Sequence, residues 1–457
     1  MIDSPRLTLR DALERIGSLL REGRSEEGAA LAAKFLAASP NRADALNNLG
    51  VVFKRAGKFD EALHCYRQAL TLEPRRPGTL SNLALVLKER GHLAEAEACC
   101  LKALTLDPQS VAAQYNLGVI LKGLGEAEAA RTAFRATLAL APQHADARFD
   151  LALMDLMLGD LHAGWAGYEA RFDPALENPQ RIAPPTLPVP RWDGTIRPGL
   201  RLLLVNEQGF GDQIQFSRYA PLLAAQGLRV TLVVKPELRR LMGTLAGVEQ
   251  VLSSADKIDW SAQDAWSPLL SVPGMLGTTL ESIPAAIPYL QADAAARLRW
   301  RQRLDTTAQG RRRIGLVWGG SPTHRRDQER SIPLAQWTAL AEVPNACFFA
   351  LQKGPRAADA APAGVEIHAL GEELDDFAET AAILSELDLL VSVDTSTVHL
   401  AGALGRPAVA LLSYVPDWRW LLARGDTPWY PSLSLLRQQR RNDWSAPMAT
   451  LAQLLNR

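Results

Sequence analysis

The sequence predicts an α-helical repeat array followed by an α/β region of two Rossmann-like lobes that face each other across a cleft. In the first third, small and apolar residues recur every 34 positions, as at Leu49, Leu83 and Leu117. From about residue 200 onward, short apolar runs alternate with helical stretches, which is typical of parallel sheets. We therefore expect more than one compact unit.

Composition narrows the class of protein. The 457 residues include 50 Lys+Arg and 50 Asp+Glu, a balance that disfavours a nucleic-acid binder. The four cysteines form no C-x-x-C pair, which argues against a zinc site or a disulfide framework and favours a reducing compartment. We find no signal peptide and no apolar run of roughly 18 residues, so we expect a cytoplasmic protein without a membrane span.

The repeats have the residue types that paired antiparallel helices require. Small residues at Gly50 and Ala84 would let the helices approach closely, and recurring glycines and prolines would supply the turns and the helix ends. This pattern is that of tetratricopeptide repeats, which we assign to residues 1–172. An irregular helical bundle would not keep one register through three full copies.

Such arrays usually present a concave groove that binds extended peptides or protein surfaces. Asparagines recur on the first helix of successive repeats, at Asn47, Asn48, Asn82 and Asn116. Because asparagine offers both a donor and an acceptor, these side chains could clamp the backbone of a bound peptide. The alternative is that they are solvated polar positions. The groove predicts a protein partner without saying which one.

Prolines concentrate in residues 173–199, which we interpret as a linker. Apolar runs at 201–205 and 229–234 predict strands of an N-terminal lobe over residues 200–310, the expected acceptor side. A second start at 313–318 predicts a C-terminal lobe over residues 311–457, the expected donor side. Ligands of open parallel sheets bind beyond the carboxyl ends of the strands, where the motifs below all fall.

The first motif, residues 207–213, follows the first strand of the N-terminal lobe. Its glycines would allow close backbone approach, and Asp212 would stand at the start of the next helix, facing the cleft. The alternative is that Asp212 is a helix N-cap. The spacing is not G-x-G-x-x-G, so we do not predict a dinucleotide-binding fingerprint.

The second motif follows the first strand of the C-terminal lobe. A glycine turn followed by arginines suits a diphosphate, which needs forked cationic donors. Lysine at the end of the next strand could add a positive contact, and the alternative is a solvated basic loop. The candidate donor-binding residues of this motif are Gly319, Gly320, Ser321, His324, Arg330 and Lys353.

The third motif joins a strand to a helix at Asp394, Thr395, Ser396, Thr397 and His399. Its amides and hydroxyls would form an anion-binding nest, and Asp394 could accept hydrogen bonds from sugar hydroxyls. The alternative for His399 is a buried histidine at a helix start. We interpret the aromatic residues at 418–420 and 429–430 as packing rather than as stacking partners of a ligand.

No Asp-x-Asp motif occurs in the chain, which disfavours metal-dependent binding of a sugar nucleotide. Neutralisation by basic side chains and helix dipoles is the alternative. We therefore expect no metal and no other cofactor.

In these motifs the chain resembles bacterial tetratricopeptide-repeat glycosyltransferases whose catalytic region is similar to lipopolysaccharide heptosyltransferases. It is more distantly similar to protein O-GlcNAc transferases. The resemblance covers nearly the whole chain. The motifs that carry it are Glu207-Gln-Gly-x-Gly-Asp212, His324-x-x-Asp327-x-x-Arg330-Ser331, Asp394-Thr-x-x-x-His399-x-Ala-Gly402 and Asp417-Trp-Arg-Trp420.

The resemblance implies a GT-B fold, a nucleotide-sugar donor held by the C-terminal lobe and no obligatory metal. It also implies that Asp212 is the general base, that Arg330 and Lys353 face the donor phosphates, and that the turn from Asp394 to His399 holds the donor sugar. The lipid acceptor of heptosyltransferases does not carry over, because they lack the repeats. A relative of this architecture acts on flagellin.

The expected function is transfer of a sugar from a nucleotide-sugar to a Ser or Thr hydroxyl of a protein recruited by the repeats, with flagellin as one candidate. One alternative is a non-catalytic adaptor that works through its repeats. Another is a transferase acting on a glycolipid or an oligosaccharide, with the repeats serving assembly.

Overall fold

The computed structural model describes residues 8–38, 42–178, 180–324 and 326–456. The chain divides into two compact units. The first extends to Asp155 and includes Ala170–Ile182, and the second comprises Leu156–Glu169 and Ala183–Arg457. None of the helices in the described ranges is long and apolar enough to cross a membrane.

The first unit consists of antiparallel helix pairs that form the predicted tetratricopeptide superhelix. At the closest approach of two paired helices, a Cβ on Gly50 would lie 2.5 Å from the Tyr66 ring, so only glycine fits. Gly57, in the turn between that pair, has a φ of 72°. The helices are α1 (Leu9–Arg21), α2 (Ser25–Ala38), α3 (Arg42–Arg55), α4 (Phe59–Leu72), α5 (Pro77–Glu89), α6 (Leu93–Leu106), α7 (Val111–Leu124), α8 (Ala127–Leu140) and α9 (Ala145–Met157).

The second unit begins with α10 (Leu161–Tyr168), which precedes a parallel sheet of four strands. The strands are β1 (Arg201–Val205), β2 (Arg229–Val234), β3 (Gln250–Ser253) and β4 (Ala265–Pro268), in the order β3-β2-β1-β4. The apolar run at the start of β1 is buried because β1 lies inside the sheet, with Leu203 opposite both Thr231 and Trp266. Its helices are α11 (Phe210–Phe216), α12 (Tyr219–Ala225), α13 (Arg239–Met242) and α14 (Val272–Met275).

A six-stranded parallel sheet follows, in the order β10-β9-β8-β5-β6-β7. Its strands are β5 (Arg312–Val317), β6 (Ala346–Ala350), β7 (Ile367–Ala369), β8 (Leu389–Val393), β9 (Ala408–Leu412) and β10 (Leu433–Arg437). The helices are α15 (Ala294–Ala308), α16 (Asp327–Arg330), α17 (Phe377–Glu386), α18 (Ser396–Ala403) and α19 (Ser445–Leu455). Two parallel sheets in succession confirm the predicted α/β class and are consistent with a GT-B-like region.

Some elements differ from the sequence-based expectation. The segment from Gln213 to Gln226, whose sequence pattern favours one continuous helix, forms two helices that are interrupted at Ser217 and Arg218. Both residues keep right-handed helical dihedrals, and the Ala220 amide donates to the Ser217 carbonyl at 3.0 Å, so the turn tightens there. The buried Arg218 side chain donates to the carbonyl oxygens of Gln215 and Trp429, 2.9 and 2.8 Å away. The short apolar segment at 269–273 forms helical turns.

The proline-rich segment packs against the first sheet through Trp192. Its amide donates to the Trp266 carbonyl at 2.7 Å, so the segment extends along β4, and the indole is buried. The residue boundaries predicted for the repeats, the linker and the two lobes stay predictions.

Candidate active site

Asp212 stands in the first turn of α11, just beyond the carboxyl end of β1. One carboxylate oxygen, Oδ2, accepts a hydrogen bond from the Gly209 amide at 2.8 Å, which satisfies a free donor at the helix start. The other, Oδ1, accepts from Nη2 of Arg419, a residue that follows β9 in the second sheet. The N-cap residue of α11 is Gly209, so Asp212 is not the N-cap of the alternative interpretation; it accepts from the N-cap amide as the third helical residue and also contacts the other lobe.

Arg419 belongs to the Asp417-Trp-Arg-Trp420 motif but was not among the candidate site residues. Its Nη1 donates to Oδ1 of Asp417 at 2.8 Å, so one guanidinium bridges two carboxylates. The side chain is 8% exposed, with the guanidinium carbon 4.4 Å from the Trp418 ring centroid and 5.6 Å from that of Phe216. Burial by itself lowers the pKa of Arg419, but the carboxylates of Asp417 and Asp212 outweigh it and hold that pKa above its ordinary value. Arg419 is thus a fixed positive charge.

Asp394 lies where β8 ends and α18 begins. Burial, together with the nearby Asp417 carboxylate, raises the pKa of Asp394 to about 6, against the attraction of Arg330 and Arg419. A carboxyl group in that range changes its charge near neutral pH and can donate or accept a hydrogen bond. The strand end predicted to face a sugar therefore bears a group with both abilities.

His399 is buried in α18, and its ring is held from two sides. Nδ1 lies 3.1 Å from the Tyr430 hydroxyl, and the ring stacks on Trp420 with centroids 5.1 Å apart. Burial and the positive charge of Arg419 lower the pKa of His399 to about 3. The imidazole is therefore neutral at physiological pH, and its Nε2, 3.9 Å from Asp394 Oδ1, forms no ion pair there. This placement matches the alternative of a buried histidine at a helix start.

The hydroxyl residues of the third motif form the start of α18. Thr395 is the residue before the helix, with its Oγ1 3.0 Å from Ser392 Oγ, and the helix begins at Ser396. Thr397 and Ser396 are half-buried. The amides of the first turn of α18 thus lie at the carboxyl end of the sheet, where an anion-binding turn requires them.

Gly319 and Gly320 occupy the carboxyl end of β5. A Cβ on Gly319 would collide with the Arg356 side chain, and one on Gly320 would collide with Nη2 of Arg330. The glycines therefore let two arginine side chains pass close to the backbone. Ser321 is exposed, with its hydroxyl 2.8 Å from that of Thr323.

Arg330 joins the second motif to the third. Its Nη1 donates to the backbone oxygen of Asp394 at 3.0 Å, and its Nε lies 3.5 Å from Oδ1 of Asp327. Asp327 also pairs with Arg356 at 3.0 Å, so this carboxylate holds both arginines. Two arginines thus stand beside the start of α18, and binding of a diphosphate there stays a prediction.

The structure does not bring every candidate of the second motif into this cluster. Lys353 is exposed, and its amino group donates to the Leu374 carbonyl rather than to the described motif residues. His324 is exposed at the loop tip, where its Nδ1 accepts from the Arg326 amide at 3.2 Å. Partial burial and the charge of Arg330 lower the pKa of His324.

In the ranges that the structure covers, no group of three or more His, Cys, Asp or Glu side chains is arranged to hold a metal ion. That the charge of the donor phosphates is neutralised without a metal ion stays a prediction.

The asparagines of the first unit bond mainly within the array. Oδ1 of Asn47 accepts from Asn82 Nδ2 at 3.2 Å, and Asn47 Nδ2 lies 3.4 Å from Oδ1 of Asn48. Asn116 is 6% exposed and donates to the Ser81 hydroxyl at 2.8 Å. These bonds tie successive repeats together, and a peptide-clamping role for the four residues stays a prediction.

Comparison with known proteins identifies both regions. Residues 43–76, 81–144 and 115–164 match tetratricopeptide repeats, and residues 290–443 match glycosyltransferase family 9 (heptosyltransferase). The chain therefore combines a region similar to tetratricopeptide repeats with a region similar to glycosyltransferase family 9. The family 9 region includes Arg330, Asp394, His399 and Arg419, whereas Asp212 lies ahead of it.

One curated relative is Protein FlbA of Caulobacter vibrioides, 29% identical over 318 residues. The match covers 64% of this chain, and the chain spans about half (52%) of the relative's length. Similar solved structures include one described as a functional characterisation of Pseudomonas aeruginosa pilF (25% identity, 37% of this chain, 78% of that chain, TM-score 0.32). Another is TTC0263, a tetratricopeptide-repeat protein of Thermus thermophilus (21% identity, 37% and 93%, TM-score 0.32).

Proposed function

We propose that this protein is a glycosyltransferase that moves a sugar from a nucleotide-sugar to a Ser or Thr hydroxyl of a polypeptide recruited by its repeats. The family 9 match supports the reaction class. The observation that carries the proposal is the contact between Asp212 of one lobe and Arg419 of the other, because the charge of Arg419 also acts on Asp394, whose backbone oxygen accepts from Arg330. Acceptor activation and donor binding then meet at one place.

In the proposed mechanism, Arg330 and the first turn of α18 hold the donor diphosphate, and Asp394 hydrogen-bonds the sugar. Asp212 accepts the proton of the acceptor hydroxyl as its oxygen bonds to the anomeric carbon. The bond from that carbon to the phosphate oxygen breaks, and the nucleoside diphosphate leaves with the electron pair. Arginine stabilises the charge that develops on the phosphate, so we propose that no metal is needed.

We further propose that the acceptor is a protein, with flagellin as a candidate, and that transfer takes place in the cytoplasm, where nucleotide-sugars are made. Tetratricopeptide repeats support a polypeptide partner because arrays of this kind bind proteins along a groove. The resemblance to a flagellin-modifying architecture supports the choice of candidate.

The test begins with calorimetry of the full chain against UDP, GDP, ADP and CMP, with and without magnesium. We expect one nucleotide to bind without magnesium and Arg330→Ala to weaken that binding at least tenfold. Asp212→Asn should keep nucleotide binding and lose transfer to a polypeptide. The matched control is Asp264→Asn, which removes a carboxylate that pairs with Arg201 at the amino end of β1.

Binding of no nucleotide would favour the adaptor. Transfer to a glycolipid or oligosaccharide with none to a polypeptide would favour the alternative acceptors. Transfer that survives in Asp212→Asn would contradict the assignment of the base.

A further inference from the structure

Arg419 has three properties that together call for an explanation. It is almost fully buried, it bridges Asp212 and Asp417, and its Nε has no hydrogen-bond partner among the described residues. Burying a guanidinium is costly, and Asp417 alone would supply one counter-charge. The second arm, to Asp212, reaches an element 207 residues away in the other lobe.

The hydrogen bonds to Asp212 fix the orientation of its carboxylate but leave acceptor positions open on both oxygens. Gly209 N–H holds Oδ2 and Arg419 holds Oδ1, so the plane of the carboxylate is fixed. Each carboxylate oxygen has two acceptor positions, so one on each remains for a substrate proton. The side chain is 19% exposed, which leaves a face open to an acceptor hydroxyl.

Asp417 matters when the charge of Asp212 changes. If Asp212 takes up a proton, Arg419 loses the charge of one partner but keeps the Asp417 carboxylate at 2.8 Å. The buried guanidinium is then still neutralised, so protonation of Asp212 does not strand a charge. The ring faces of Trp418 and Phe216 keep the guanidinium in place throughout.

We propose that Arg419, anchored by Asp417, is the positioning residue that orients Asp212 as the base and ties its orientation to the C-terminal lobe. This inference rests on the proposed function. The Asp417-Trp-Arg-Trp420 motif then orients the base, a role distinct from packing and from donor binding.

The kinetic test measures the release of nucleotide from UDP-N-acetylglucosamine, GDP-mannose, ADP-heptose and CMP-N-acetylneuraminate. The variants are then compared on the donor that the wild type turns over. We expect Arg419→Ala and Asp417→Asn to lower kcat at least tenfold while the KM for the donor changes less than threefold. Millimolar guanidinium should restore turnover in Arg419→Ala, because the vacated position is lined by the carboxylates of Asp212 and Asp417 and borders the rings of Trp418 and Phe216.

Arg313→Ala is the matched control. That arginine also bonds a carboxylate, Asp305, and a backbone oxygen, that of Glu386, but at the opposite end of the sheet. We expect its loss to lower Tm without lowering kcat and without rescue by guanidinium. Equal losses of kcat in both arginine variants, or Arg419→Ala with unchanged kcat, would overturn the proposal.

A second measurement does not depend on turnover. In a cycle of Asp212→Asn, Arg419→Met and the double variant, each single change should lower Tm, and the double change should lower it by less than their sum. Additive shifts would show that the pair does not form and would overturn the inference. If the pair couples but the wild type releases no nucleotide, the proposed function fails while the structural tie stands.

Discussion

Gly211 of α11 lies directly against His399 of α18. A Cβ on Gly211 would be 2.9 Å from Cδ2 of His399, closer than carbon atoms normally approach. The imidazole cannot move aside easily, because Tyr430 bonds its Nδ1 and Trp420 stacks on its face. The first motif therefore needs its second glycine to let one lobe pack on the other.

Substituting Gly211 should accordingly disturb this contact. We expect Gly211→Ala to destabilise the second unit by about 1–3 kcal/mol, the usual cost of overpacking, and to lower turnover by shifting α11. Thermal unfolding and kinetics measure both. Gly78→Ala is the control, since a Cβ there meets nothing within 4 Å and α5 would accept it. A Gly211 variant with unchanged Tm would contradict the contact.

Gly320 offers a test of Arg330 that leaves the charge intact. A methyl group at Gly320 would collide with Nη2 of Arg330, so Gly320→Ala should displace the guanidinium from the Asp394 backbone oxygen. We expect about a tenfold loss in nucleotide affinity by calorimetry, as for a lost charge-assisted hydrogen bond. Combining it with Arg330→Ala should add little further loss, and full additivity would show that the two residues act separately.

Asp394 should make stability depend on pH in an uncommon direction. Its pKa is about 6 in the folded protein against an ordinary value of 3.8, so the folded state binds its proton more tightly than the unfolded state. This contribution is fully present below pH 3.8 and is lost as the pH rises through 6. Asp394→Asn should therefore raise stability at pH 7.5 by about 1–3 kcal/mol, and the gain should vanish near pH 4.

Melting curves of Asp394→Asn and wild type at pH 4, 6 and 7.5 measure that effect. The exposed Asp426, whose pKa is lowered by its hydrogen bond with Arg424, provides the contrast. Asp426→Asn should give no gain in Tm at any of these values. A Tm of Asp394→Asn below that of the wild type at pH 7.5 would show that the folded protein stabilises the Asp394 carboxylate rather than destabilising it.

Asn116 tests whether the asparagines support the array or bind a peptide. Because it is buried and donates to Ser81, Asn116→Ala should leave a hydroxyl and a carbonyl without their donor and destabilise the repeats by about 1–3 kcal/mol. Hydrogen exchange of α5 and α7 in the full chain measures this. Asn48→Ala, at a half-buried position with one long bond, should change exchange little. Unchanged protection from hydrogen exchange in Asn116→Ala would show that Asn116 does not stabilise the array and would favour its predicted role in the peptide groove.

Patterns local in sequence predicted much of the fold. The strands β1 and β2 begin and end where their apolar runs do, because a buried parallel strand must be apolar on both faces. The short β7, only Ile367–Ala369 and incompletely buried, shows no such run. The carbonyl partners of the Arg218 side chain, those of Trp429 and Pro284, could not be anticipated either, since only the fold brings them together.

The candidate site likewise contains some residues that could be predicted from the sequence and others that could not. Asp212, Arg330 and Asp394 were predicted because each follows a strand, and such ends meet at one edge of a sheet. Arg419 was not, although the Asp-x-Arg spacing of Asp417 and Arg419 was a visible signal of a local ion pair. Its second partner is determined by tertiary packing alone. The inward turn of Asn116 likewise follows from Ser81 in the neighbouring repeat.

The assignment of α10 to the second unit determines where the gene can be cut. Trp165 and Tyr168 pack edge-on against Trp418, the Trp165 indole donates to the Thr278 carbonyl at 3.0 Å, and the Tyr168 hydroxyl accepts from Gln208 at 2.7 Å. An expression fragment that starts after the repeat pattern, near residue 173, would lose both rings and expose an aromatic surface to water. A fragment that starts at about Leu156 would retain them, and it is the better starting point for crystallising the second unit alone.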